Sequence, residues 1–115
     1  MSRSLRFYLT DIISSIDKIQ QYTLDMTYDD LLKDDRTFDA VVFNLQIIGE
    51  ATKQIPEPIR QKYPEIEWRK IAGLRDIIAH TYFSVNPEIV WNILTTKLKP
   101  LRDCVALILQ NEDLQ

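Results

Sequence analysis

The sequence predicts an all-α domain, an up-and-down bundle of about five helices, and three observations carry that expectation. Apolar residues recur at spacings of three and four through most of the chain, the period of a helix with a buried face. No stretch shows the alternation of a strand, and only 2 glycines serve 115 residues, too few for the turns of sandwiches and barrels or for phosphate loops of the P-loop or Rossmann kind. With 45% hydrophobic and 27% charged residues, no repeat and no interdomain linker, residues 1–115 read as one domain. A chain of this length buries roughly two-thirds of the surface it exposes when unfolded, enough for a core without metal or disulfide staples.

The first helix runs from about Leu5 to Tyr22, with Leu5, Leu9, Ile12, Ile16 and Ile19 on one stripe and Arg6, Asp17 and Lys18 on other faces. Thr27 and Asp30 form a weak capping box that opens a short helix through Leu31 and Leu32, exposed by its acids. From Thr37 to Ile55 a longer helix carries Phe38, Val41, Leu45, Ile48 and Ile55 along one face. Phe43 and Ile47 lie nearly opposite, on the side of Glu50, so one face meets the core and the other is available to a second subunit. Gly49 in mid-helix costs about 1 kcal/mol relative to alanine, which makes sense where something approaches closely. Pro56, Pro58 and Pro64 confine residues 59–63 to at most a short helix. The next helix is expected to begin between Glu65 and Trp68 and to run unbroken to about Tyr82. Asn86, Pro87 and Glu88 then supply an N-cap, a proline in the first turn and an acid beside the helix dipole. Pro100 is expected to break or kink this segment before Leu101, Val105 and Ile108 resume a stripe.

Several function classes are disfavoured at once. Cys104 and His80 are the sole members of their kinds, too few for a Cys/His zinc site or an internal disulfide, so neither metal nor cofactor is expected. The absence of long apolar runs and of a signal-peptide pattern points to a cytoplasmic protein with no membrane partner. A net charge of -3 argues against non-specific nucleic-acid binding, but the average hides a pattern. Residues 25–39 hold six acids, read as a solvated face, whereas residues 53–75 hold six bases against three acids.

The chemistry gathers on the helix that begins near Trp68. At about 100° per residue, Arg75 falls inside an apolar arc with Trp68, Ile71, Leu74, Ile78 and Tyr82, where a guanidinium needs a partner or a cleft. Asp76 and His80 stand one turn apart on another face, the spacing at which a carboxylate holds an imidazole in one tautomer. Arginine and histidine thus diverge, and a composite site needs an unwound helix end or the same segment from a second subunit. Taken singly, these residues have plainer readings: Arg75 in a buried ion pair with Glu50, His80 at a helix C-terminus, Tyr82 as a core aromatic.

Taken together, Arg75-Asp-Ile-Ile-Ala-His80-Thr-Tyr82 resembles the R-x-x-x-x-H-x-Y motif of HEPN-domain toxins of the HepT kind. Three further blocks resemble that family in order: Asn44-Leu-Gln-Ile-Ile-Gly-Glu-Ala51, Trp68-Arg-Lys-Ile-Ala-Gly-Leu74, and Val90-Trp91 followed by Leu98-Lys-Pro-Leu101. The resemblance implies a HEPN-like helical homodimer acting as a metal-independent endoribonuclease, with two motifs facing each other across an interface cleft. Arg75 and His80 would be catalytic, Asp76 would orient His80, and Glu50 would line the cleft or pair with Arg75. It also implies a minimal nucleotidyltransferase antitoxin that neutralises the toxin by adenylylating Tyr82, placing charge and bulk where a substrate phosphate must go. Thr81 stands where many relatives carry a small or acidic residue. An RNA such as a tRNA or mRNA would dock on Lys53, Arg60, Lys62, Arg69 and Lys70. Two other readings use the same residues: a non-catalytic HEPN module that binds a nucleotide or protein, and a structural dimerisation bundle joined through Phe43 and Ile47.

Overall fold

A computed structural model describes residues 4–74 and 85–112, which form seven helices and no strand. The all-α class is therefore as the periodicity requires. Helix α1, Leu5–Tyr22, buries Leu9, Ile12, Ile16 and Ile19 completely, so its wet and dry faces are those read from the sequence. At its end the Thr23 hydroxyl donates to the Ile19 carbonyl at 2.8 Å. Asp25 then turns the chain with φ at 62°, a left-handed conformation that aspartate tolerates better than most residues.

Two carboxylates of the acidic run start helices. Before α2, Tyr28–Leu32, the Asp30 amide donates to the Thr27 hydroxyl at 3.1 Å and the Thr27 amide to the Asp30 carboxylate at 2.9 Å, a complete capping box. Before α3, Asp35–Thr52, the Asp34 carboxylate accepts from the Thr37 amide at 3.0 Å and its hydroxyl at 2.7 Å. These bonds, the amide first in each case, hold both carboxyls below their ordinary pKa.

Helix α3 packs along α1 and is the central element of the core. Val41, Leu45 and Ile48 are fully buried, and Phe38 packs at their edge. The helix starts two residues before the expected Thr37 and ends at Thr52, whereas the apolar stripe alone carries it to Ile55. Ile55 is nonetheless buried, in the turn that follows. The second apolar stripe divides: Phe43 stands 61% exposed, whereas Ile47 is half-buried. Gly49 is buried within the helix, as are Asn44 and Thr52, whose side chains donate to the Ala40 and Ile48 carbonyls at 2.9 and 2.7 Å. Such bonds back to the preceding turn let polar side chains sit in an apolar layer.

Helix α4, Glu57–Lys62, is the short turn allowed between the prolines, with Pro58 in its first turn, where a missing N–H costs nothing. Helix α5 spans Trp68–Ala72, and here the expected continuous helix to Tyr82 is corrected. The backbone leaves regular helix at Gly73, with φ at −79° and ψ at −7°, before Leu74 is helical again. A Cβ at Gly73 would meet the Arg69 carbonyl oxygen at 3.4 Å, ordinary contact, so crowding does not force the interruption. Glycine's weak helix preference accounts for its position.

Helix α6, Pro87–Thr96, begins as its sequence specifies, the Asn86 side chain accepting from the Glu88 amide at 2.8 Å. It ends at Thr96, and α7, Leu98–Asn111, starts after Lys97. The break thus falls at Lys97, three residues before Pro100, because the proline ring opposes the Thr96 carbonyl four residues back and gives it no N–H. Pro100 itself sits in the first turn of α7. Leu101, Val105 and Ile108 of α7 close the core against α1, and Arg102 grips Asp17 with two bonds of 2.6 and 3.1 Å. Helix α5 rests on α3 and α6 on α7. Among the described residues no helix is long and apolar enough to cross a membrane.

Candidate functional site

The expected site residues Arg75, Asp76, His80 and Tyr82 lie outside the described residues, and what the structure shows is the frame that leads into and out of them. On the entry side, Trp68 is buried and its indole N–H donates to the Tyr63 carbonyl at 2.9 Å, pinning the start of α5. On the exit side stands the Asn86 cap. Leu74, one residue before Arg75, and Val85 both pack against the main core, so both flanks of the motif are held by the same hydrophobic cluster.

Glu50 is exposed near the end of α3 and lines a cleft of about 380 Å³ between α3 and α1, together with Tyr8, Asp11, Lys18 and Ile47. Its carboxylate lies 3.9 Å from the Lys53 ammonium. This cleft lies between α1 and α3, and the expected place of Glu50 beside Arg75 falls outside the described residues.

The five bases expected to dock RNA take different places. Arg60 points inward to the backbone, its Nε donating to the Ile55 carbonyl at 3.0 Å and its terminal nitrogen to that of Thr52 at 2.8 Å. It closes the C-terminal end of α3, where carbonyls lack helical partners. Lys62 pairs with Glu112 at 2.9 Å, which raises the lysine pKa and lowers that of the carboxyl. Arg69 and Lys70 line a second cleft, of about 710 Å³, between α5 and α6. Lys97, which sequence reasoning misses, lines it too. Glu67 binds Lys70 at 2.8 Å and Lys97 at 3.2 Å, and those two bonds, the Lys70 one first, hold its carboxyl below the ordinary range. The Glu67–Lys70 spacing is legible in the sequence, but the approach of Lys97 depends on how α6 ends.

Cys104 offers no competing nucleophile: burial, with Glu65 adding to it, pushes its thiol up to about 11, so it stays protonated at neutral pH. Among the described residues no group of three or more His, Cys, Asp or Glu side chains is placed to hold a metal ion.

Residues 12–108 match the family model described as ribonuclease HepT-like. The chain belongs to the ribonuclease HepT-like family. It is 38% identical over 89% of its length to "Probable ribonuclease HepT" of Thermococcus cleftensis, covering 93% of that protein. It is also similar to two proteins named "Putative RNase": one of Methanocaldococcus jannaschii, 43% identical over 84% of this chain and 79% of the relative, and one of Caldanaerobacter subterraneus, 36% identical over 93% and 96%. No solved structure matches the chain. The HepT-like match spans positions 75, 76, 80 and 82 together with the helices on either side of them. The resemblance read from the sequence is thereby borne out at the level of the family.

Proposed function

We propose that this HepT-like protein is the toxin of a toxin–antitoxin pair, a homodimeric, metal-independent endoribonuclease. The observation that carries the reading is the family match over residues 12–108, which contains Arg75, His80 and Tyr82 in the R-x-x-x-x-H-x-Y spacing. His80 takes the proton from an RNA 2′-hydroxyl or gives one to the departing 5′-oxygen, a task suited to a side chain that titrates near neutrality. The 2′-oxygen forms its bond to the neighbouring phosphorus as the 5′-oxygen bond breaks, leaving a cyclic phosphate and a 5′-hydroxyl. Arg75 holds the phosphate and offsets the charge that develops on it. Asp76 orients His80. Because Arg75 and His80 diverge on a helical wheel, Arg75 of one subunit serves with His80 of the other. A minimal nucleotidyltransferase antitoxin silences the site by attaching AMP to Tyr82. Such a protein meets its tRNA or mRNA substrate in the cytoplasm.

The composite geometry has a direct test. Arg75→Ala and His80→Ala homodimers are each expected to be inactive, whereas dimers exchanged between the two recover cleavage, because one of their two sites has both residues intact. Mixed dimers that form but cut no RNA would overturn the shared site. One observation favours a second reading, a non-catalytic module that binds a nucleotide or protein: the net charge of -3 is unusual for a protein that grips a polyanion. Cleavage by the wild type decides between the two.

A further inference from the structure

Glu67 sits between two lysines carried by different parts of the fold. Lys70, on α5, reaches one carboxylate oxygen at 2.8 Å, and Lys97, at the junction of α6 and α7, reaches the other at 3.2 Å. As exposed ion pairs these contacts add little to stability. Their consequence is positional: two ammonium groups from distant parts of the chain converge where an anion already rests. The place is the mouth of the 710 Å³ cleft, within the size range of small-ligand sites, and Arg69 stands at the same mouth. Among the described residues the cleft's lining is otherwise mostly apolar, with Ile66, Ile71, Leu74 and Ile93. A floor that accepts a flat apolar group beneath a mouth that accepts a phosphate suits one nucleotide of a single strand. Leu74 is also the residue before Arg75, which places the cleft beside the motif in the chain.

We propose that this cleft is an RNA subsite, in which a base rests on Ile71, Leu74 and Ile93 while its phosphate takes the place of the Glu67 carboxylate between Lys70 and Lys97. The subsite rests on the ribonuclease reading and extends it, assigning to α5 and α6 the binding of a nucleotide near the scissile one. Glu67 is then a built-in competitor. It keeps the two lysines in place when RNA is absent and must be displaced when RNA arrives. A protein partner would cover the apolar walls without calling for two converging cations, so the charges favour RNA.

The test measures binding of a single-stranded RNA oligonucleotide carrying 2′-O-methyl groups throughout, which has no 2′-hydroxyl to attack and cannot be cut. The Lys70→Ala/Lys97→Ala variant is expected to bind about tenfold more weakly at low salt, and the slope of log affinity against log salt to fall by about 0.7, for the one phosphate no longer held. Glu67→Gln, which removes the competing charge and keeps the shape, is expected to bind more tightly than wild type. An unchanged affinity and salt slope in the double lysine variant would overturn the subsite. So would a change in oligomeric state in that variant, which would give the cleft to a second copy of the chain. Cleavage of ordinary RNA by the wild type is followed in parallel. A wild type that binds the methylated probe through these lysines yet cuts nothing refutes the ribonuclease and not the subsite; a wild type that cuts, with lysine variants that bind normally, refutes the subsite alone.

Discussion

Replacing His80 with alanine is expected to lower the rate of RNA cleavage by at least about 100-fold, the low end of what a positioned general acid or base contributes. The physical reason is the absence of a substitute. His80 is the sole histidine, and Cys104 is protonated and buried, so nothing else of matching pKa takes over the proton. Arg75→Ala is expected to fall as far, because a dianion-like phosphorane loses its counter-charge, whereas Arg75→Lys keeps the charge, loses the two-pronged grip and retains partial activity. Initial rates on one RNA substrate measure all three. Each variant should keep its far-ultraviolet spectrum and thermal transition, since the main core is assembled chiefly from α1, α3 and α7. An inactive variant that has also unfolded says nothing about the proton.

The largest expected effect on stability is at Leu45. It is fully buried in α3 among residues of the same cluster as Ile12 and Ile16 of α1, with no solvent on any side. Leu45→Ala removes three heavy atoms from a layer that cannot collapse without moving two long helices, a loss of roughly 2–5 kcal/mol. A urea titration reads this directly, as a lower midpoint with an unchanged slope. Phe43→Ala, two positions earlier and 61% exposed, is expected to change chain stability by no more than about 0.5 kcal/mol. If the dimer closes over Phe43, that variant weakens self-association instead, which dilution of the two variants separates.

Features with strictly local causes are legible in the amino-acid sequence. The stripe on α1 gives its buried face and both of its ends, and the caps at Thr27 and Asn86 stand where their side chains dictate. Where the cause is not local, the sequence says less. Pro100 announces a break, but the break's position at Lys97 follows from a clash four residues back. Gly73 lies within a periodic stretch that predicts unbroken helix, because Trp68, Ile71 and Leu74 keep the same face on both sides of it. Apolar period alone is blind to such interruptions. Charges are least legible. Five bases within residues 53–70 read as one surface, yet Arg60 holds backbone carbonyls, Lys62 holds Glu112, and Lys70 shares Glu67 with a lysine almost thirty positions away. Which charge faces which is a property of packing. The spacing of Arg75, His80 and Tyr82, by contrast, is read directly from the sequence, because it is a spacing of residue types.

Cleavage of a mixture of tRNA and mRNA by the wild-type protein, unmodified at Tyr82 and with EDTA present, tests the central claim most directly. The expected result is cut RNA bearing cyclic phosphate and 5′-hydroxyl ends, with no cutting by His80→Ala prepared in the same way. Intact RNA after incubation with a folded, dimeric, unmodified wild type, or cutting that continues in His80→Ala, would contradict it.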